Sequence, residues 1–187
     1  MRIPRGGIME VKYILSLFFE KIGEEDLTKV EQLSDAQSLK LSKALGILNF
    51  IYLQIRCDYL PLISQEQVAS VDGKIEYSKL SERFKKLIRL EKDGKRIKAK
   101  TLPTHIETLE DGEMTIEYIY IPKALNLDDE IFDNRLSELE VLYGMLSQHY
   151  LDENVFDQAS YYDTLFKEAM SRAKYKGREI KVKERAW

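Results

Sequence analysis

Two amphipathic helical patterns, Ile131 to Leu151 and Val155 to Ala173, are separated only by Asp152, Glu153 and Asn154. So short a connection leaves two helices only one arrangement, side by side and antiparallel. The first pattern lines up Phe132, Leu136, Leu139, Leu142, Tyr143, Leu146 and Tyr150; the second lines up Val155, Ala159, Tyr162, Phe166, Ala169 and Ala173. Each has a single apolar stripe, which some other element must cover. Asp128 and Asp129 stand where the first helix is expected to begin, and carboxylates there favour the helix dipole.

The covering elements are found at the other end of the chain. Val11, Ile14, Leu15, Phe18 and Ile22 repeat at three and four residues, and Gly23 follows where a C-capping glycine is expected. Ser34 with Gln37 and Ser38 offers an N-terminal cap. Leu41, Ala44, Leu45, Leu48, Ile51, Tyr52 and Ile55 then continue one stripe until Pro61 stops it.

From Ile63 the period changes. Asp72-Gly73, Asp93-Gly94 and Asp111-Gly112 are turn dipeptides, each flanked by stretches able to pair as hairpins. Arg96, Lys98 and Lys100 alternate with Ile97 and Ala99, while Met114, Ile116, Tyr118 and Tyr120 share one face. Ile119 and Ile121 break that alternation, which predicts a strand buried on both faces near its end. Between these segments the reading favours a strand from about Phe84 over a helical turn.

The order is helix, helix, sheet, helix, helix, tail. It predicts an α+β fold: a four-helix bundle-like unit with an inserted small antiparallel β-sheet domain and an extended C-terminal arm. The expected segments are 8–61 and 125–173 for the two helical pairs, 62–124 for the sheet domain and 174–187 for the arm. A chain of 187 residues can hold one such core with a satellite. Hydrophobic content of 44% with 33% charged residues places it among folded rather than disordered chains.

One cysteine, Cys57, excludes an internal disulfide framework and sits in an apolar pattern that predicts a buried thiol. The longest apolar runs, Val11 to Phe19 and Leu45 to Leu53, fall short of a bilayer span. Arg2 and Arg5 imitate a signal peptide, but Pro4, Gly6 and Gly7 intervene and no small-residue cleavage site follows Phe19, so the reading expects an intracellular product.

Net charge is −3 and uneven: Lys174 onward carries six cationic and two anionic side chains, +4, leaving −7 for residues 1 to 173. An acidic body with a basic end suits docking onto an acidic surface or, less often, nucleic acid, and the body itself reads as a poor DNA binder.

Groups for catalysis are sparse. His105 falls in an expected loop, and His149 closes the third helix, where packing or a dipole contact explains it. Asp128, Asp129 and Glu130 could in principle take a hard cation, but a helix start explains them without a metal and no second acidic cluster complements them. The glycines form no phosphate loop. The reading therefore assigns no catalytic, cofactor-binding or metal-binding residue. Contact surfaces are better represented. Tyr143 and Tyr162 are expected to pack between the last two helices, leaving Tyr161 as the better candidate for a partner. In the tail, Arg178, Ile180, Lys181, Val182, Lys183, Arg185 and Trp187 form a basic, partly apolar segment able to add as a strand or lie on an acidic surface.

The layout resembles the head-to-tail adaptor family of tailed bacteriophages and prophages, also called tail tubular or neck connector proteins. The likeness is carried by the long helix ending near Tyr59-Leu60-Pro61, the strand Met114 to Pro122, the stretch Leu142 to Tyr150, the helix with Ala159, Tyr162, Phe166 and Ala169, and the arm closing on Arg185-Ala186-Trp187. It implies a structural virion protein of the neck or tail and not an enzyme. It also implies a homo-oligomeric ring of about twelve copies on the portal ring, contacting a downstream tail or nozzle protein, with DNA passing without specific binding. Before assembly such a protein resides in the host cytoplasm. The alternative from the residues alone is a cytoplasmic interaction or regulatory module using the helical hairpin; a metal-dependent enzyme comes third.

Overall fold

The computed structural model describes residues 7–175. The chain has an α+β fold and divides into two compact units: one from the segments up to Tyr52 and from Ala124 onward, the other from Leu53–Lys123. The arm expected at 174–187 lies, apart from Lys174 and Tyr175, outside the described residues.

The first unit opens with β1 (Ile8–Glu10), which runs directly into α1 (Val11–Ile22). The α1 helix buries Val11, Ile14, Leu15, Phe18 and Phe19. Gly23 ends it at φ 73°, a left-handed conformation that favours glycine, with the amides of Gly23 and Glu24 returning to Glu20 and Phe19. A short 3₁₀ turn, Leu27–Lys29, follows, capped by Asp26. Next comes α2 (Asp35–Gln54), fixed at its start by a reciprocal pair in which Ser34 N donates to Gln37 Oε1 and Gln37 N donates to Ser34 Oγ. Strand β1 and the 3₁₀ turn are additions to the sequence expectation, which the two helices match.

The third helix does not. Residues Glu130–Phe132 form β9, antiparallel to β1, with Met9 opposite Ile131, and Val11 N donates to Asp129 O. Ile131 points inward while Glu130 and Phe132 are exposed, the period of a strand. The helix α3 (Glu138–Asp152) starts only at Ser137, whose N–H donates to Glu140 in a capping box. Asp128 and Asp129 therefore belong to a turn, where Asp129 Oδ2 accepts from Asn126 N at 2.7 Å. Asn154, at φ 61°, reverses the chain into α4 (Phe156–Tyr175), and α3 packs along α4 as the short connection requires.

In the second unit the chain leaves α2 through a π-helical turn, Ile55–Tyr59, closed by Leu60 N donating to Ile55 O just before Pro61. Cys57 sits in this turn and is half-buried rather than buried. Two antiparallel sheets follow. One has β2 (Leu62–Ser70), β8 (Gly112–Tyr120), β4 (Phe84–Lys92) and β5 (Lys95–Arg96) in that order across the sheet; the other has β3 (Lys74–Glu76), β7 (His105–Thr108) and β6 (Ala99–Thr101). Val68, Ile75, Leu80, Leu90, Ile106, Met114, Ile116 and Tyr118 form the core. Met114, Ile116 and Tyr118 are buried on one face of β8, as alternation predicts, whereas Ile119 and Ile121 are only half-buried.

Asp72-Gly73 and Asp93-Gly94 are hairpin turns with positive φ at both residues. Asp111-Gly112 is not, because β7 and β8 lie in different sheets; Asp111 instead accepts the Gly73 amide at 2.7 Å, tying that crossover to the first hairpin. His105 begins β7 rather than lying in a loop, and it is half-buried.

Candidate interaction surfaces

Within the first unit, α2, α3 and α4 meet at Gly144. An atom placed as its Cβ would lie 2.7 Å from Ile51 Cγ2 and 3.1 Å from the Phe166 ring. This close approach fixes the hairpin against α2, while α1 packs on the other flank of α3. His149 is held by that packing, its ring edge-on to Phe18 at 5.5 Å and 89°. Burial pushes its pKa down; Lys43 acts in the same direction, against Glu153, Glu24 and Asp152. That environment suits a neutral packed imidazole.

Four tyrosines cluster on the hairpin. Tyr150 and Tyr162 stack at 5.7 Å, Tyr143 is tilted against Tyr162 at 6.3 Å, and Tyr161 meets Tyr162 edge-on at 5.2 Å. Burial, and then the neighbouring phenols, raise the pKa of Tyr162. Tyr143 and Tyr162 thus pack between the helices as the spacing predicts, and Tyr161 is 60% exposed.

Tyr161 is not isolated. Leu151, Val155 and Phe156, at the turn between the two helices, are 49%, 40% and 60% exposed. The ion pair of Lys43 with Glu153 ties α2 to this turn, one helical turn from Leu39, which is 73% exposed. Asp152, Glu153 and Asp157 surround the apolar groups. Large apolar side chains gathered at one end of a unit and rimmed by charge are the chemistry of a protein contact. The sequence reading assigned Val155 to the inward stripe and missed the exposure of Leu39, Leu151 and Phe156.

Of the residues assigned to partner binding, Tyr161 is the one the structure places. Arg178, Ile180, Lys181, Val182, Lys183, Arg185 and Trp187 lie outside the described residues. Asp128, Asp129 and Glu130 are separated by function: Asp128 pairs with Lys12 at 2.5 Å, Asp129 closes its turn, and Glu130 is in β9. Among the described residues no group of three or more His, Cys, Asp and Glu could hold a metal ion, and no helix is long and apolar enough to cross a membrane.

In the second unit the buried Tyr118 anchors a partly exposed polar network with Glu66 and Ser81. Tyr118 Oη donates to Glu66 Oε1 at 2.5 Å, and Ser81 donates to the same carboxylate through N and Oγ. Burial works to raise the Glu66 pKa, but the hydrogen bonds from Tyr118 and Ser81 outweigh it and hold the group below the usual range. An ionised carboxylate so satisfied ties β2 to the segment leading into β4, a structural role.

No protein-family model matches the chain, and no curated protein matches it.

Proposed function

We propose that the chain is a structural assembly protein working by contact, and that its role is that of a head-to-tail adaptor. In this reading it forms a ring on the portal of a phage or prophage and extends the DNA exit channel. Four helices form its bundle-like body, supported by the meeting of α2, α3 and α4 at Gly144. The observation that carries the reading is the exposed apolar end of the helical unit, Leu151, Val155, Phe156 and Tyr161. Exposed aromatic and aliphatic groups of this size are costly on a solitary protein and are covered in an assembly. Residues 174 to 187 are proposed as the arm that docks on the portal, with Tyr161 beside it in the interface.

Native mass spectrometry tests the ring, comparing the portal ring encoded nearest this gene alone and with the protein added. The adaptor reading expects addition of many copies in one step, and loss of that step in Phe156→Asp/Tyr161→Asp. Capture of a soluble host protein without portal binding would favour the regulatory module.

A further inference from the structure

The sheet unit has a strongly basic segment. From Arg83 to Lys100 the chain carries nine cationic and two anionic side chains. Some of these charges are matched across strands. Arg89 pairs with Glu91 and Glu117, Lys92 pairs with Glu110, and Lys85 donates to the Cys57 carbonyl. Lys86, Lys95, Arg96, Lys98 and Lys100 are exposed and make no ion pair among the described residues; the acids opposite them in register, Glu91 for Arg96 and Glu107 for Lys100, leave them unpaired. Lys95 stands directly opposite Lys92, whose ammonium is already met by Glu110 and the Asp111 carbonyl, so Lys95 has no acid of its own across the strand pair.

Arg96, Lys98 and Lys100 are alternate residues on the stretch from β5 into β6, a spacing of about 6–7 Å in extended chain, with Lys95 beside the β4–β5 turn and Lys86 on β4, the strand next to β5. Charge on an edge strand also discourages strand addition, but that purpose is served by one or two lysines and by the bulges already present in β4 at Lys85 and Ile88. The composition of the patch selects its ligand. Among the described residues no large apolar side chain from Arg83 to Lys100 is exposed; Leu109, one position beyond the Ala99–Thr108 pair and 90% exposed, is a lone aliphatic neighbour and not the aromatic anchor that carries most protein contacts. The same lack of an exposed aromatic gives unstacked bases nothing to stack on. A phosphate backbone needs neither.

We propose that Lys86, Lys95, Arg96, Lys98 and Lys100 form a site for the phosphate backbone of duplex nucleic acid, bound without sequence preference. The proposal departs, for this one segment, from the sequence expectation of a body that binds DNA poorly. The proposal does not depend on the adaptor reading, since a regulatory module could use the same site.

Fluorescence anisotropy with the full chain and a labelled DNA duplex of about 30 base pairs tests it. Three to five phosphate contacts predict a slope of log K against log salt between about −3 and −4.5, or roughly a 100-fold loss of affinity from about 50 to 200 mM. Lys95→Glu/Arg96→Glu/Lys98→Glu is expected to weaken binding at least about tenfold at the lower salt, three contacts being removed. The neutral set Lys95→Gln/Arg96→Gln/Lys98→Gln, checked for an unchanged melting profile, gives the same direction if the first variant misfolds. Lys21→Glu/Lys167→Glu/Arg172→Glu makes the same change in net charge on the helical unit and is expected to leave binding within about twofold. Absence of saturable binding, equal loss in this control, equal affinity for poly-glutamate, or full retention in the patch variants, which would point to residues 174 to 187, would each overturn the proposal.

Discussion

Replacing Gly144 by alanine adds one methyl group where α2, α3 and α4 converge. Its Cβ would sit 2.7 Å from Ile51 Cγ2, some 0.8 Å inside the roughly 3.5 Å at which carbon atoms attract, and 3.1 Å from two atoms of the Phe166 ring. Ile51 and Phe166 are 3% and 2% exposed, so neither can swing into solvent, and the obstructing methyl is attached at a branched Cβ with little rotamer freedom. Overpacking by one methyl costs about 1–3 kcal/mol, whereas alanine improves helix propensity over glycine by about 1 kcal/mol. The net expectation is destabilisation by about 1 kcal/mol.

Gly46 supplies the control. It lies in α2 with nothing within 4 Å of its virtual Cβ, so Gly46→Ala should collect the propensity gain alone, about 0.5–1 kcal/mol of stabilisation. The difference between the two variants isolates packing and is expected at about 1–3 kcal/mol. For a chain of this size that separates the melting temperatures by several degrees, at about 2–4 °C per kcal/mol. Thermal melts at the helical circular dichroism band read it directly. Ile51→Leu removes the branched methyl and should relieve part of the Gly144→Ala cost. If Gly144→Ala were as stabilising as Gly46→Ala, the three-helix convergence would be wrong.

Three further outcomes follow from groups already placed. Tyr118→Phe removes the donor to Glu66 and should cost about 2 kcal/mol in urea titrations, the range for a bond to a charged group, while the Glu66 pKa moves back up in NMR titration. The depressed pKa of His149 means the folded state resists protonation: stability is complete above the unfolded value near 6.5 and falls as pH drops through it until the folded pKa is passed, a decline that His149→Phe should abolish. Asp26 behaves likewise at lower pH. Burial raises its pKa, but bonds from Lys29, Ser16 and Thr28 prevail and bring it to about 2 from 3.8, so its roughly 1 kcal/mol of stabilisation is present above pH 3.8, is lost as pH falls toward 2, and should be absent from acid titrations of Asp26→Ala.

Elements whose signals are local could be read directly from the chain. Gly23, the Ser34–Gln37 pair, Pro61 and the start of β4 at Phe84 each act within a few residues, and the structure has all four in place. The failures are nonlocal. Ile131 looks helical because Phe132 and Leu136 share its period, yet its partner in β1 lies more than a hundred residues away and overrides that pattern. Asp111-Gly112 has the chemistry of a hairpin turn, but which sheet each flanking strand joins is decided by core packing that no dipeptide encodes. The interaction surface was half legible. The Tyr143–Tyr162 contact followed from spacing, whereas Leu39 and Phe156 remained hidden because apolar residues are counted toward a core until the structure shows them exposed.

The most direct test of the assembly reading is cosedimentation of the purified chain with the portal ring encoded nearest its gene, comparing full length with a version ending at Ala173. Adaptor function predicts that full-length protein pellets with the ring and that the shortened chain, still folded by circular dichroism, stays in the supernatant. Full-length protein that fails to pellet with the ring would contradict it.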